Sequence, residues 1–139
     1  MGLDQTWFKA KEKVDLDILN NPYYDAECAI SIKVVQTYEE NKLEDFHYHR
    51  KVPALEYFMA TEFDKQLLDI DFNCMYLHVP KELLDKLQKQ VKEKSLNEKA
   101  TGFFWGSHTD EDYEDIQKAI NKAYKAIDEG YDIYYTSNW

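Results

Sequence analysis

His47-Tyr48-His49-Arg50-Lys51 is the one dense group of histidines and cations in the chain. Arg50 and Lys51, with His49 beside them, could grip a phosphate or carboxylate through charge-assisted hydrogen bonds. Nearby acids could equally neutralise the two cations in a solvated loop. His47 and His49 stand two positions apart, so on extended backbone both rings project to one side and offer two metal ligands. A third would have to be His108 or a carboxylate. Nothing in the sequence brings either close, and the fuller zinc spacings are absent, so no metal or other cofactor is assigned.

A second candidate is Gly102-Phe103-Phe104-Trp105-Gly106-Ser107-His108, three adjacent large rings between glycines just before a helix start. Helix N-termini attract anions and aromatic faces stack on bases, so Phe103, Phe104, Trp105, His108 and the ring of Trp139 are candidate ligand contacts for a nucleotide. The spacing is neither that of a dinucleotide fingerprint nor that of a P-loop. The same rings would serve to complete a core. Asp110, Glu111, Asp112, Glu114 and Asp115 form a third group, able to imitate spaced phosphates toward a DNA-binding partner. They also suit the first turns of a helix, whose dipole favours negative charge there.

For catalysis, the nucleophile elbow, HExxH, CxxC, Cys/His and paired-carboxylate signatures are all missing. Cys74 and His78 are four apart in a segment read as a strand, which separates them by about 13 Å. The residues thus point to binding rather than catalysis.

The elements that must position these groups follow from hydrophobic period. Gly2 to Lys11 alternates as a strand through Leu3, Gln5, Trp7 and Lys9; Asn20-Asn21-Pro22 is a turn. Ala26 to Tyr38 reads as a strand with one buried side, and Glu39 to Asp45 as a charged connection. Tyr48 to Phe63 reads as a helix after Pro53, whose missing N–H suits a first helical turn, and Ile70 to Val79 as another strand. Pro80 opens a helix with the stripe Leu83, Leu84, Leu87 and Val91. Thr109 starts another, marked by Tyr113, Ile116, Ile120, Tyr124 and Ile127 and stopped at Gly130. Tyr131 to Trp139 alternates as a final strand. The expected fold is one α+β domain over residues 1–139, with about four strands in a mostly antiparallel or mixed sheet packed by about three helices.

Lys and Arg number 17 against 27 Asp and Glu, giving a net charge of −10. That balance disfavours generic nucleic-acid binding and suits docking onto a basic surface. No apolar run approaches the roughly 20 residues that cross a bilayer. Cys28 and Cys74 lack metal or redox spacing and read as free thiols of a reducing compartment, so a cytoplasmic location is expected. Aromatic residues make up 15% of the chain, enough to serve both core and binding surface.

Three pieces together resemble a family of small bacteriophage-encoded proteins of unassigned activity. They are the opening Met1 to Asp4; the stretch Tyr48 to Phe58 with Asn73-Cys74 beyond it; and Gly102 to Ser107 followed by an acidic helix and Tyr131 to Trp139. Pro53 and Glu56 stand where the family usually shows Asn and His, and Lys11 to Asp45 carries no resemblance. The resemblance implies residence in the host bacterial cytoplasm and an accessory role, often against host enzymes or host defence. The expected function is therefore a non-catalytic accessory protein binding a host macromolecule, most simply a host protein. A nucleotide or other small-molecule binder is the alternative, and a metal-dependent enzyme comes third.

Overall fold

Gln5 and Trp7 are fully enclosed while Asp4 and Thr6 remain partly open, the period-2 signature of a strand packed on one face. This strand is β1, Asp4–Ala10. The structure is a computed structural model and describes residues 2–20, 39–40, 42–66, 75–96 and 109–139. In chain order the other elements are a one-turn helix α1 (Leu16–Leu19), β2 (Glu44–Arg50), α2 (Pro53–Gln66), β3 (Tyr76–His78), α3 (Lys81–Lys92), α4 (Asp110–Asp128) and β4 (Asp132–Asn138). The α+β architecture expected from the sequence is present: among the described residues, four strands in the order β2-β1-β4-β3, all antiparallel to their neighbours, are packed by three long helices.

Register places side chains in rows across the sheet. His47, Trp7, Tyr135 and Leu77 form one row, and His49, Gln5 and Ser137 the next. Both rows face the helices. Trp7, Leu77, Ile133 and Tyr135 join Leu55, Met59, Leu84, Leu87, Ile116 and Ile120 in one large core. The opposite face is covered by a smaller cluster in which Tyr76, Tyr134 and Ala10 meet Val14, Leu19 and Leu43. Burying Tyr134 as well as Tyr135 departs from one-sided alternation and is explained by this second layer.

Local rules fix the helix ends. Pro80 caps α3 with extended backbone, and the Asp112 carboxylate accepts the Thr109 backbone N–H at 2.9 Å at the start of α4. Gly130, at φ 91, closes α4 in the left-handed region that glycine enters without strain.

Several boundaries differ from the sequence reading: α2 runs on to Gln66, and the described part of the strand read over Ile70 to Val79 is Tyr76–His78. Glu44–Arg50 is a strand, so the charged connection is shorter than 39–45 and the helix read from Tyr48 begins only at Pro53. Helical periodicity around Leu55 and Phe58 does not carry backward across Pro53, because the residue before a proline is pushed out of the helical region. Lys51, at φ 58, makes the turn from β2 into α2. The expected strands over 26–38 and 70–74, Cys28, Cys74 and the turn at Asn21-Pro22 lie outside the described residues.

Candidate functional site

The extended backbone of β2 sends His47 and His49 toward α4, and the carboxylate of Asp115, in the second turn of that helix, lies between them. Asp115 Oδ1 is 2.9 Å from His47 Nε2, and Oδ2 is 2.5 Å from His49 Nδ1. The two rings lie 4.6 Å apart, centroid to centroid. His49 is buried, whereas Asp115 keeps 39% of its side chain exposed.

The outer partners decide the protons. An indole N–H can only donate, so Trp7 Nε1, 2.9 Å from His49 Nε2, makes that nitrogen an acceptor and leaves the ring proton on Nδ1, facing Asp115. An ammonium also only donates: Lys122 Nζ, 3.0 Å from His47 Nδ1, leaves the His47 proton on Nε2, again facing Asp115. One carboxylate thus receives two imidazole N–H donors. Burial pushes the His49 pKa below its ordinary value, against the pull of Asp115, in keeping with a neutral ring. For Asp115 burial acts upward, but the hydrogen bonds from His49 and His47 together outweigh it and hold the carboxyl below the usual range.

These are the residue types of a two-histidine, one-carboxylate metal centre, with donor atoms spread over up to 4.8 Å. Coordination through His49 Nδ1 would move its proton to Nε2, where it would point at the Trp7 N–H inside the core. Two donors facing each other without water is a costly arrangement. The cluster is therefore built as a hydrogen-bonded clamp joining α4 to β1 and β2, with every nitrogen and both carboxylate oxygens partnered.

A bulge shapes what lies next to it. Trp7 pairs with His47 and Phe8 with Asp45, so Phe46 is an extra residue in β2. Its ring turns to the helix side, 6.2 Å from Trp7, with the Lys122 ammonium 3.4 Å from the Phe46 carbonyl oxygen.

A second polar network sits under α2. Glu56 is fully buried, accepting from the Tyr135 hydroxyl at 2.7 Å and the Ser137 hydroxyl at 2.6 Å. Gln5 donates to Tyr135 Oη at 2.8 Å and to the Val52 carbonyl, and accepts the Val52 N–H. Burial and the adjacent Glu56 push the Tyr135 hydroxyl far above its ordinary pKa, so it remains a donor.

Among the described residues, the candidates named from sequence do not all come together. His49 enters the clamp and is buried, whereas Arg50 alternates outward to Asp4, 3.6 Å away, and Lys51 is exposed in the turn beyond, both cation side chains lying against Gly2. Tyr48 hydrogen-bonds the same Asp4. Trp139 packs partly buried on the main core rather than standing free as a stacking face. Phe103, Phe104, Trp105 and His108 lie outside the described residues. Of the acidic group, Asp112 caps α4 and Asp115 belongs to the clamp, whereas Asp110, Glu111 and Glu114 remain outward. In sequence Asp115 groups with its acidic neighbours rather than with the histidines, and nothing local marks Trp7, Gln5 and Lys122 as polar partners. Lys122 lies seven positions beyond Asp115, two turns on along the same face, which is the signal that could have linked them.

The fold and site define an antiparallel α+β protein clamped by an aspartate between two histidines. No family model, curated protein or solved structure matches the chain. Among the described residues no helix is long and apolar enough to cross a membrane.

Proposed function

We propose that this protein is a non-catalytic binding protein whose partner is another macromolecule, most simply a protein with a basic face. The observation that carries the reading is the closure of the His47–Asp115–His49 network. Where the acid-base groups converge, every ring nitrogen and both carboxylate oxygens already hold a hydrogen-bond partner within the fold, which suits a rigid scaffold better than a reacting centre. The net charge of −10 and the outward Asp110, Glu111 and Glu114 on the first turns of α4 favour a cationic partner surface. The resemblance to small phage proteins supports a host protein in bacterial cytoplasm as that partner, with action against host defence as one form of the role.

Affinity capture from bacterial host lysate tests this reading, with the Glu111→Lys/Glu114→Lys variant as the control. A specific partner should be retained by the native chain, released by salt and lost with the reversed charges. Repeated capture that yields nothing specific, or a partner indifferent to both changes, would refute it.

A further inference from the structure

Four lysines gather around the end of α4 remote from its acidic first turns. Lys122 and Lys125 stand three apart on α4, and Lys9 and Lys11 two apart where β1 ends, so both pairs point to the same corner of the molecule. The ammonium groups of Lys9 and Lys11 lie 4.7 and 4.8 Å from the centre of the Tyr131 ring. Between the pairs is a groove of about 230 Å³, lined by Lys9, Phe46, Lys122, Lys125, Ala126 and Glu129.

Lysines on an acidic protein ordinarily find carboxylates. Among the described residues Lys9, Lys122 and Lys125 form no ion pair, although Glu129 lines the same groove and Glu44 lies opposite Lys9 in register. Lys11 donates to the Glu129 backbone carbonyl at 3.3 Å rather than to a carboxylate. Lys122 is aimed by the clamp: Asp115 orients His47, whose Nδ1 holds the ammonium at the mouth of the groove. The bulge at Phe46 sets a half-buried ring among the charges. The cradle thus offers point charges for an anion and an apolar floor for what the anion is attached to.

We infer that this groove is a binding site for a small phosphate monoester carrying a planar ring, with a nucleoside monophosphate as the ligand class. Size limits the choice, because sites that engulf drug-sized ligands run from about 300 to 1,000 Å³. This groove takes one phosphoryl group and the sugar or ring next to it, not a dinucleotide. The phosphate sits among Lys9, Lys122 and Lys125, and the planar body lies against Phe46. The site is separate from the acidic turns that carry the proposed function: Glu111 and Lys125 are about 21 Å apart along the helix axis at 1.5 Å per residue.

The test is a titration with adenosine monophosphate, inorganic phosphate and adenosine, followed by amide chemical shifts and melting temperature. The monophosphate should bind at least tenfold more tightly than inorganic phosphate, and adenosine more weakly than the monophosphate. Lys122→Gln/Lys125→Gln should weaken monophosphate binding at least tenfold, and Phe46→Leu should erase its advantage over inorganic phosphate. Lys125→Gln alone, at an exposed position, still reports if the double variant fails to fold. Absence of monophosphate binding at about 10 mM, a ligand strength of under 3 kcal/mol, overturns the inference. So does binding that ignores the lysine changes, or an oligonucleotide that binds through these lysines when the monophosphate does not. Glu111→Lys/Glu114→Lys should leave monophosphate binding intact, which separates failure here from failure of the macromolecular reading.

Discussion

Trp7 Nε1 stands 2.9 Å from His49 Nε2, and this contact between a central strand and its neighbour fixes which nitrogen of a buried histidine carries the proton. Two-bond nitrogen–proton correlation spectra should report His49 with its proton on Nδ1 and His47 with its proton on Nε2. Because coordination at His49 would reverse that arrangement, equimolar zinc should leave the melting temperature within about 3 °C, the shift expected for 1 kcal/mol in a domain of this size. The opposite tautomer, or a larger rise with zinc, would remove the physical case against coordination.

Acid should loosen the clamp. Burial lowers the folded-state pKa of His49, so below its unfolded value near 6.5 the unfolded chain takes up a proton that the folded chain does not. The corresponding stability is present above pH 6.5 and declines as pH falls, by at most about 1.4 kcal/mol per pH unit for one proton. Asp115 is depressed as well, and it adds a loss in the same direction at lower pH as its carboxyl protonates. The charged or titratable groups acting on His49 are Asp115, His47 and Asp112. Denaturant midpoints measured from pH 7.5 to 5 should fall for the native chain and fall less for His49→Gln.

Asp115→Asn tests the doubly accepting carboxylate. An amide has one carbonyl oxygen and one donating nitrogen, so it can accept from only one imidazole N–H and confronts the other with a donor. The expected loss is about 2–3 kcal/mol, the scale of a buried donor left without its partner. Equilibrium unfolding measures it, and a loss under about 0.5 kcal/mol would mean that the clamp contributes little.

Glu56→Ala removes the acceptor of both the Tyr135 and Ser137 hydroxyls and leaves a void beneath α2. A cost of about 3–5 kcal/mol follows from adding a cavity to two stranded donors. Glu56→Gln keeps the shape and one acceptor and should lose distinctly less. Equal losses for the two variants would show that volume, not hydrogen bonding, sets the effect.

Gly130→Ala isolates backbone strain. A Cβ there would meet nothing within 4 Å, so the only penalty is the left-handed conformation at φ 91. About 1 kcal/mol should be lost, and Gly130→Asn should lose less. Thermal unfolding of the two variants checks the order.

Period and punctuation carried much of this fold in the sequence. Leu83, Leu84, Leu87 and Val91 announced α3, Thr109 and Gly130 bracketed α4, and Tyr131 to Trp139 alternated as the strand it forms. The clamp was half legible. The spacing of His47 and His49 implied that extended backbone would turn both rings one way, and it does. What local patterns could not supply was the approach of α4: Asp115 and His47 meet only because β1 seats β2 beside Trp7 and the apolar stripe of α4 settles on that row. The groove depends on a bulge at Phe46, a residue that falls between the charged connection and the helix read from the sequence and carries no local signal of its own. Arg50 and Lys51 looked like site residues because charge density is visible in a sequence, whereas the direction of a side chain is not.

The pairing of β1 with β4 has a kinetic consequence. The centre of the sheet joins Asp4 to Asn138 and Ala10 to Asp132, so its two middle strands lie far apart in sequence. During synthesis β1 must wait, unpaired on this side, until β4 has left the ribosome. A nascent or truncated chain without residues 132–138 exposes the inner edge of β1 and the ring of Trp7, making a template for aggregation out of what becomes the most protected part of the molecule.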